Sequence, residues 1–281
     1  MKGIILSGGK GTRLYPLTQT INKGLLSVYD KPMVYYPLTS LVNCDVREIC
    51  IISSSEYIEH YKTLFRDGSH LGLNITYRIQ EKPNGISEAF LIAEDFIKDD
   101  SVSLILGDNI FHGNINVGFN NEGSSIFAYK VTDPERYGVV EFDKNNKALS
   151  IEEKPIKPKS NYAVTGLYFY DNTCVEKAKK LKPSNRGELE ITDLNNLYLK
   201  ENKLNVIKFP RGTAWLDAGT PETLFQSSMY VQSVQERTGT QIGCIEEECF
   251  VKNYIDENQL KKIIDKMPKS NYKNYLAKIL L

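Results

Sequence analysis

The stretch Ser7-Gly8-Gly9-Lys10-Gly11-Thr12-Arg13-Leu14 directly follows a short apolar run at residues 3–6. Its closely spaced glycines let the backbone approach a polyphosphate and point N–H groups at it, while Lys10 and Arg13 add positive charge. A dinucleotide fingerprint would need another glycine where Leu14 stands, and a Walker loop would need Lys followed by Ser or Thr after its last glycine. The stretch therefore predicts a phosphate-binding loop of another type, and the alternative is a tight turn that binds no ligand.

Outward from this loop, strands alternate with helices through the first half of the chain. Continuous runs rich in Val, Ile and Leu predict buried strands, and apolar stripes at helical spacing predict helices. The predicted strands are residues 3–6, 48–53, 74–80 and 102–106, and the predicted helices are residues 32–43, 56–65 and 86–97. This order predicts an α/β, Rossmann-like fold with a mostly parallel mixed sheet flanked by helices, which binds ligands at the carboxyl ends of its strands.

Strands dominate the second half of the chain, which predicts antiparallel additions to the same sheet. The predicted strands are residues 125–131, 138–143, 148–153, 163–170 and 205–209, and the predicted helices are residues 173–180, 190–201 and 221–235. The last forty residues carry apolar positions at helical spacing and predict a small helical appendage. We therefore expect a core over residues 1–240 and a helical extension over residues 241–281.

Length and charge exclude several classes of protein. The 281 residues include 35 Lys and Arg against 35 Asp and Glu, so there is no basic excess to hold a nucleic-acid backbone. No apolar run approaches the roughly 20 residues of a membrane span, and the N-terminus lacks a signal-peptide core. We expect a cytoplasmic protein with neither nucleic-acid nor membrane partners. The five cysteines contain no C-x-x-C pair and the three histidines no ligand pair, which predicts free thiols and no zinc site.

Seven motifs occur in order along the chain. The first extends the glycine stretch through Tyr15-Pro16-Leu17-Thr18 to Asn22-Lys23 and Tyr29-Asp30-Lys31-Pro32-Met33. The others are Leu106-Gly107-Asp108-Asn109-Ile110-Phe111, Asp133-Pro134-Glu135-Arg136-Tyr137-Gly138-Val139-Val140-Glu141, Glu152-Glu153-Lys154-Pro155, Val164-Thr165-Gly166-Leu167-Tyr168, Arg186-Gly187-Glu188-Leu189-Glu190-Ile191-Thr192-Asp193 and Ala214-Trp215-Leu216-Asp217-Ala218-Gly219-Thr220. Together they resemble the sugar-1-phosphate nucleotidyltransferases, and among these most closely the thymidylyltransferases.

The resemblance implies transfer of a nucleotidyl group from a nucleoside triphosphate to a sugar 1-phosphate. Its most specific form is dTTP plus α-D-glucose 1-phosphate giving dTDP-glucose and pyrophosphate, with Mg²⁺ as cofactor. The product would serve dTDP-rhamnose-type and cell-surface polysaccharide synthesis. The resemblance further implies a nucleotide-binding part over about residues 1–110, a sugar-binding part over about residues 111–240, and a homotetramer, for which residues 241–281 are the expected subunit contacts.

The resemblance also assigns site residues. The implied catalytic residues are Arg13, Lys23, Asp108 and Asp217, and the two aspartates are the implied Mg²⁺ ligands. The implied nucleotide contacts are Gly8, Gly9, Gly11, Thr12, Arg13, Gln80, Gly85 and Asp108. The implied sugar-phosphate contacts are Asn109, Tyr137, Gly138, Glu153, Lys154, Val164 and Trp215.

The chemistry of these residue types agrees with the implied roles. Asp108 closes a strand and Asp217 precedes a predicted helix, so both can reach one edge of the sheet, where paired carboxylates suit Mg²⁺. Either aspartate alone fits a loop or helix cap equally well. Glu153 and Lys154 are neighbours at the end of a predicted strand and in strand geometry should point to opposite faces, so a local irregularity must bring both to the site. Trp215 fits either a sugar pocket or core packing.

The chain departs from the family's usual motifs near the implied base site. It has Gly24 and Ser27 in Lys23-Gly24-Leu25-Leu26-Ser27 where the family usually reads Lys-Gln-Leu-Leu-Pro, Glu88 where a neutral amide is usual, and Ser7 in place of alanine. These departures leave open a different pyrimidine triphosphate or sugar phosphate. They also predict that Glu88→Gln raises the preference for thymine.

Two other classes of protein are alternatives. One is a non-catalytic nucleotide-sugar-binding paralogue, against which the set Arg13, Lys23, Asp108, Lys154 and Asp217 argues. The other is an NAD-dependent oxidoreductase, which the missing third glycine disfavours.

Overall fold

The computed structural model describes residues 1–115, 119 and 121–281 of the chain. Its strands, in chain order, are β1 (Lys2–Ser7), β2 (Ser27–Val28), β3 (Lys31–Pro32), β4 (Glu48–Ser53), β5 (Asn74–Ile79), β6 (Val102–Leu106), β7 (Asn109–His112), β8 (Ser124–Lys130), β9 (Gly138–Phe142), β10 (Ala148–Glu153), β11 (Tyr162–Tyr170), β12 (Leu204–Lys208) and β13 (Ala214–Asp217). Its helices are α1 (Tyr35–Asn43), α2 (Ile58–Phe65), α3 (Glu88–Ile92), α4 (Glu94–Ile97), α5 (Cys174–Ala178), α6 (Ile191–Lys200), α7 (Pro221–Thr238), α8 (Ile245–Val251), α9 (Glu257–Lys266) and α10 (Asn271–Ile279).

In the described part of the chain, nine strands form one mixed sheet. Its order is β10-β9-β11-β6-β1-β4-β5, and β8 pairs with both β11 and β12. The strands β6, β1, β4 and β5 are parallel, whereas β11 runs antiparallel to β6, β8 and β9. The predicted α/β fold is confirmed, and the carboxyl ends of β1, β4 and β6 lie side by side at one edge.

Helices cover both faces of the sheet. Successive residues of β1 point to opposite sides, so neighbouring apolar residues pack against different helix layers. Ile5 packs with Leu38 and Leu41 of α1 in one buried cluster. Ile4 packs with Phe90 of α3 in a second cluster on the other face. Full burial of one such side chain contributes about 1.5–3 kcal/mol, so this alternation holds both helix layers against the sheet.

The three C-terminal helices pack against the chain's own core. Leu260 and Ile264 of α9 and Leu276 of α10 belong to the same buried cluster as Ile5 and Leu38. Helix α8 lies against α1. Residues 241–281 are thus helical and share a core with the sheet, and their part in subunit contacts stays a prediction.

Several predicted boundaries differ from the structure. The helix predicted from residue 32 begins at Tyr35, because Pro32 belongs to β3, which pairs with β2. The helix predicted over residues 86–97 starts at Glu88, since Ser87 N donates a hydrogen bond to Leu189 O at 3.1 Å. It is also interrupted at Ala93, whose ψ of 16° departs from helical geometry. The small sheet formed by β7 and β13 was not predicted.

None of the helices in the described ranges is long and apolar enough to cross a bilayer. All five cysteines are free, as predicted, and all five are buried. Burial raises the pKa of Cys50 to about 11, so this thiol stays protonated and unreactive near neutral pH.

Candidate active site

Two adjoining cavities lie at the carboxyl ends of β1 and β6. The first has a volume of about 460 Å³ and the second of about 290 Å³. Arg13, Leu106 and Asp108 line both, so the cavities meet at these side chains. Gly107 N donates to Leu6 O at 2.9 Å, which holds the loop after β6 against the end of β1. The position agrees with ligand binding at the carboxyl ends of parallel strands.

The structure brings the predicted site residues to these two cavities. The first is lined by Gly9, Gly11, Thr12, Arg13, Lys23, Gln80, Gly85 and Asp108. The second is lined by Asn109, Tyr137, Gly138, Glu153, Lys154, Val164, Trp215 and Asp217, with Arg13 and Asp108 at the junction. Gly8 is not among the described lining residues, and the Gln80 side chain occupies the space that a Cβ atom on Gly8 would need.

The glycine loop, residues 7–14, is held by the segment that follows it. Thr18 Oγ1 donates to Gly11 O at 2.9 Å, and Leu14 N donates to the same oxygen at 2.9 Å. Leu14 is fully buried and anchors the end of the loop in the core. Lys10 and Arg13 line the cavity, where cationic side chains and backbone N–H groups suit a polyphosphate.

A buried hydrogen-bond network beneath the glycine loop positions Lys23. Asn22 caps the 3₁₀ turn that contains Lys23 by accepting from Gly24 N at 2.9 Å. The Asn22 amide donates to Ser7 O at 3.1 Å, and the Tyr61 hydroxyl donates to Asn22 Oδ1 at 2.6 Å. Because a satisfied buried network is rigid, it fixes where the Lys23 side chain enters the cavity.

Two departures from the family's motifs, Ser7 and Gly24, compensate each other. A Cβ atom on Gly24 would overlap the Ser7 hydroxyl and lie 2.5 Å from the Tyr61 hydroxyl. These two hydroxyls are 2.6 Å apart and hydrogen-bonded. Together they fill the space that a larger side chain at position 24 would need.

The small sheet of β7 and β13 brings the two aspartates together. Asn109 lies opposite Asp217 in this antiparallel pair, and Ala218 N donates to Asp108 O at 3.1 Å. Asp108 immediately precedes β7 and Asp217 ends β13. Asp108 at the junction and Asp217 in the second cavity are therefore close enough to interact electrostatically, at one edge of the sheet.

The two aspartates differ in pKa. Burial alone would raise the pKa of Asp108, but the ion pair with Lys23 and the donated hydrogen bonds of Lys23 and Asn109 bring it below its ordinary value. Burial raises the pKa of Asp217 to about 6, and the negative charge of Asp108 adds to the rise. Asp108 is thus held as a carboxylate, while Asp217 carries charge that the nearby Lys23 and Arg13 offset only in part.

The residues at the junction fit a hard divalent cation. The two carboxylates offer oxygen ligands, and the pKa of Asp217 is raised by burial and by the negative charge of Asp108, both of which a bound cation would offset. Among the described residues, no group of three or more His, Cys, Asp and Glu side chains is arranged to hold a metal ion. A pair of carboxylates suits Mg²⁺, which keeps waters and shares itself with substrate phosphates.

The end of β10 supplies both Glu153 and Lys154 to the second cavity. Lys154 has a φ of 45°, in the left-handed region, and its backbone N donates to Tyr137 O at 3.0 Å. This irregularity turns the chain so that both side chains line the cavity, with Nζ and Oε1 3.8 Å apart. Glu153 Oε2 also accepts from the Thr192 hydroxyl at 2.7 Å.

Asn109 and Trp215 form the floor of the second cavity. Trp215 Nε1 donates to Asn109 Oδ1 at 2.6 Å, and Gly166 N donates to the same oxygen at 3.1 Å. The Asn109 amide in turn donates to Asp108 Oδ1 at 2.7 Å. Asn109 therefore links the tryptophan to the aspartate pair. Trp215 is 8% exposed and packs edge-on against Tyr137, so it serves both core and cavity wall.

The loop after β5 closes the first cavity against the segment before α6. Leu189 N donates to Asn84 O at 2.7 Å, and Ser87 N donates to Leu189 O at 3.1 Å. Gly85 has a φ of 111°, and a Cβ atom there would lie 2.5 Å from both Leu189 N and Leu189 O. Only glycine permits this close contact with the Leu189 backbone, which holds the loop after β5 against the segment before α6.

Other residues line the second cavity without having been predicted as site residues. Arg186 donates to Glu190 at 2.7 Å and lies 3.6 Å from Glu153 Oε1. Burial would raise the pKa of Glu190, but Arg186 and Ser184 bring it below its ordinary value. The motif that contains Arg186 was evident in the sequence, so its one arginine was the available signal. Further unpredicted lining residues are Arg136, Tyr168, Glu188 and Thr192.

Comparison with known proteins identifies the family. A family model described as nucleotidyl transferase matches residues 2–234. The chain belongs to this nucleotidyl transferase family. Its relatives include glucose-1-phosphate thymidylyltransferases from Neisseria meningitidis, 49% identical over 100% of this chain and 99% of that protein, and from Mycobacterium tuberculosis, 48% identical over 100% and 99%.

Solved structures of nucleotidyl transferases agree with the fold. One is a Bacillus anthracis protein described as a glucose-1-phosphate thymidylyltransferase in complex with a sucrose; its TM-score is 0.77 at 44% identity, over 82% of this chain and 94% of that chain. Another is UDP-glucose pyrophosphorylase complexed with UDP-glucose, with a TM-score of 0.73 at 21% identity, over 83% and 98%. The second likeness concerns the fold alone.

Proposed function

We propose that the chain transfers a thymidylyl group from dTTP to glucose 1-phosphate, giving dTDP-glucose and pyrophosphate. The observation that carries the proposal is the junction of the two cavities at Arg13 and Asp108. The glycine loop borders one cavity, and Glu153 and Lys154 border the other. A triphosphate and a sugar phosphate bound in them would meet at the junction. The relatives' shared name supports the choice of dTTP and glucose 1-phosphate.

The proposed reaction is one displacement at phosphorus. A phosphate oxygen of glucose 1-phosphate attacks the α-phosphorus of dTTP and forms a P–O bond. The bond from that phosphorus to the bridging oxygen breaks, and its electron pair leaves with pyrophosphate. Because the second pKa of a phosphate monoester is about 6, the attacking group is largely a dianion at neutral pH and needs no general base. Positioning and charge stabilisation then dominate catalysis.

The cations of the two cavities have distinct proposed roles. Arg13 and Lys10, with the N–H groups of the glycine loop, would bind the departing pyrophosphate. Lys23 lies at the junction side of the first cavity and would contact the α-phosphate. Lys154 and Arg186 line the second cavity and would hold the phosphate of the sugar. Each cation thus stabilises charge at a different place along the displacement.

Mg²⁺ is the proposed cofactor, held by Asp108 and Asp217. When bound, it would neutralise phosphate charge and act as a Lewis acid. The carboxylates would bind and orient the ion, and the ion pair with Lys23 helps to lower the pKa of Asp108. For the hexose, Glu153 offers a carboxylate that can accept hydrogen bonds from sugar hydroxyls, and Trp215 offers an apolar ring surface.

The homotetramer implied by the resemblance is also proposed. Phe225 and Met229 lie on the same side of α7 and are 66% and 51% exposed, which leaves an apolar surface for a neighbour. Sedimentation velocity tests this, with four times the 31.9 kDa of one chain as the expected mass. A monomer at all concentrations would contradict it.

A substrate matrix tests the proposed function. Purified protein with Mg²⁺ is incubated with each pairing of dTTP, UTP, CTP and ATP with glucose, galactose or mannose 1-phosphate, and pyrophosphate release is measured. The expected result is the highest rate for dTTP with glucose 1-phosphate. A higher rate for another pairing would replace the named substrates, and no release from any pairing would contradict the reaction.

A further inference from the structure

Lys31 is a buried cation that is not among the described residues lining either cavity. Its side chain is only 3% exposed. Four oxygens lie within hydrogen-bond distance of its ammonium nitrogen: Asp30 Oδ1 at 2.6 Å, Ile242 O at 3.0 Å, Gln241 Oε1 at 3.1 Å and Gln235 Oε1 at 3.3 Å. A buried charge is costly unless it is paired and hydrogen-bonded, and this ammonium is both.

The acceptors of Lys31 come from segments that are far apart in the chain. Asp30 directly precedes β3, Gln235 lies near the end of α7, and Gln241 and Ile242 begin the C-terminal extension, residues 241–281. Gln235 Nε2 also donates to Asp30 Oδ2 at 3.0 Å, and Gln235 Oε1 accepts from Ile242 N at 3.0 Å. The cluster therefore joins the extension and α7 to the start of β3.

Two aromatic rings also lie beside the Lys31 ammonium. The ring centroid of Tyr36 in α1 is 5.4 Å from Lys31 Nζ, and that of Tyr272 in α10 is 5.7 Å away, within the range of cation–π attraction. The Tyr272 hydroxyl donates to Glu246 Oε2 in α8, and the Tyr36 hydroxyl donates to Val28 O in β2 at 2.7 Å. Lys31 thus contacts the extension on one side and the hairpin of β2 and β3 on the other.

The segment that follows Lys31 runs alongside the turn that carries Lys23. Strands β2 and β3 pair in an antiparallel hairpin directly after this turn. Two backbone hydrogen bonds, each of 2.9 Å, extend the pairing to the residues next to Lys23: Met33 N donates to Leu26 O, and Val34 N donates to Gly24 O. The strand that Lys31 anchors therefore holds the backbone from which the Lys23 side chain enters the first cavity.

We propose that Lys31 is a positioning residue for the reaction: by fixing the C-terminal extension to the hairpin of β2 and β3, it holds the Lys23 ammonium at the junction of the cavities. The inference rests on the proposed function, in which Lys23 contacts the α-phosphate. Lys31 touches no substrate in this account, so its effect on turnover passes through Lys23. The extension thereby contributes to catalysis within its own chain.

Lys252 offers a matched control, because it also joins the extension to the core. Its ammonium donates to Asn43 O at 2.9 Å and to Asp45 Oδ1 at 2.7 Å. Asn43 ends α1 and Asp45 follows it, so neither acceptor belongs to the hairpin or to the Lys23 turn. Lys252→Met therefore loosens the same extension and leaves the contacts of Lys31 in place.

A double-mutant cycle tests whether Lys31 acts through Lys23. The values of kcat and KM are measured for the wild type, Lys31→Met and Lys252→Met, each with and without Lys23→Met, under conditions in which urea unfolding shows every variant to be folded. Lys31→Met should lower kcat about tenfold alone and less than about twofold in the Lys23→Met background, because residues that act as one unit are not additive. The KM for glucose 1-phosphate should stay within about twofold, and Lys252→Met should change kcat less than about twofold in either background.

The same fall in kcat in both backgrounds would show that Lys31 acts independently of Lys23 and would overturn the inference. An unchanged kcat in Lys31→Met would overturn it as well. If Lys31→Met does not fold, Gln241→Met, which removes one acceptor of the ammonium, takes its place. It should lower kcat about threefold alone and leave kcat unchanged in the Lys23→Met background, and any other pattern would contradict the inference.

Amide hydrogen exchange separates this inference from the proposed function. Leu25 N and Leu26 N close the Lys23 turn by donating to Asn22 O at 2.9 Å and to Lys23 O at 3.1 Å. Lys31→Met should speed the exchange of these two amides about tenfold or more, whereas Lys252→Met should not. If the wild type releases no pyrophosphate, the proposed function fails, and the exchange rates alone decide whether Lys31 holds the turn. Equal exchange in the wild type and Lys31→Met would overturn the inference at any level of activity.

Discussion

The Lys23 ammonium forms an ion pair with the Asp108 carboxylate at the junction of the two cavities, although 85 positions separate them in the chain. Both side chains are mostly buried, at 12% and 22% exposure. The two neighbouring aspartates therefore differ: the ion pair helps to lower the pKa of Asp108, whereas the pKa of Asp217 is raised. A cation entering the junction therefore finds one fixed carboxylate and one whose charge it would stabilise.

Replacing either aspartate should abolish most activity without unfolding the chain. Asp108→Asn and Asp217→Asn each remove one proposed Mg²⁺ ligand and should lower kcat about a hundredfold or more at saturating substrates. Asp99→Asn, at an exposed position, is the matched control and should keep the wild-type rate. Circular dichroism checks the fold. Turnover near the wild-type rate in both site variants would refute the metal role.

Asp217 should make the metal-free protein less stable as the pH rises. Its folded-state pKa of about 6 lies above the ordinary 3.8, so the protonated form is favoured by folding, and the stability that protonation contributes is lost as the pH rises through 6. At about 1.4 kcal/mol for each pKa unit, Asp217→Asn should gain at most about 3 kcal/mol over the wild type at pH 8, and little at pH 4. Urea unfolding in EDTA measures both. Equal pH dependence in the two proteins would show that Asp217 has an ordinary pKa.

Lys154 should affect the sugar phosphate and leave the nucleotide unaffected. Lys154→Met removes a charged donor from the second cavity and should raise the KM for glucose 1-phosphate about ten- to a hundredfold, because such hydrogen bonds contribute about 1.5–3 kcal/mol. The KM for dTTP should stay within about twofold. Lys157→Met, an exposed neighbour, should change neither value. An equal rise in both KM values would place Lys154 outside the sugar-phosphate site.

Gly85 should tolerate no side chain, because Leu189 backbone atoms occupy the space. Gly85→Ala should destabilise the chain by about 1–3 kcal/mol from backbone strain, with the overlap adding to the loss, and should raise the KM for dTTP. Gly212→Ala is a matched control, since Gly212 has a similar φ of 99° and no atom within 4 Å of its would-be Cβ. Urea unfolding that showed equal losses in both variants would rule out the contact with Leu189 as the cause.

The parallel core and the cavity edge could be predicted from local sequence, whereas the contacts between segments could not. Continuous apolar runs such as residues 48–53 and 102–106 predict strands, because strands that are buried on both faces are apolar throughout. The pairing of β7 with β13 joins segments about a hundred residues apart and leaves no local pattern. It is nevertheless what brings Asp108 and Asp217 together.

Side-chain orientation was harder still to predict. The need for an irregularity at Lys154 followed from strand geometry, and the left-handed backbone there supplies it. Glu88 shows the opposite case: its charge was evident from the sequence, but the hydrogen bonds that its carboxylate accepts from Gln80 and Asn84 were not. Likewise, Ser7 and Gly24 are separate departures in the sequence and one packed unit in the fold.

The central claim is that the junction of the two cavities performs nucleotidyl transfer. Phosphorus-31 NMR of wild-type protein with dTTP, glucose 1-phosphate and Mg²⁺ tests it most directly, because substrates and products are observed together. The predicted result is a loss of dTTP and glucose 1-phosphate with the appearance of dTDP-glucose and pyrophosphate in equal amounts, at a rate that Asp108→Asn lowers about a hundredfold or more. Binding of both substrates with no new phosphorus signal, or hydrolysis of dTTP without a sugar nucleotide, would contradict it.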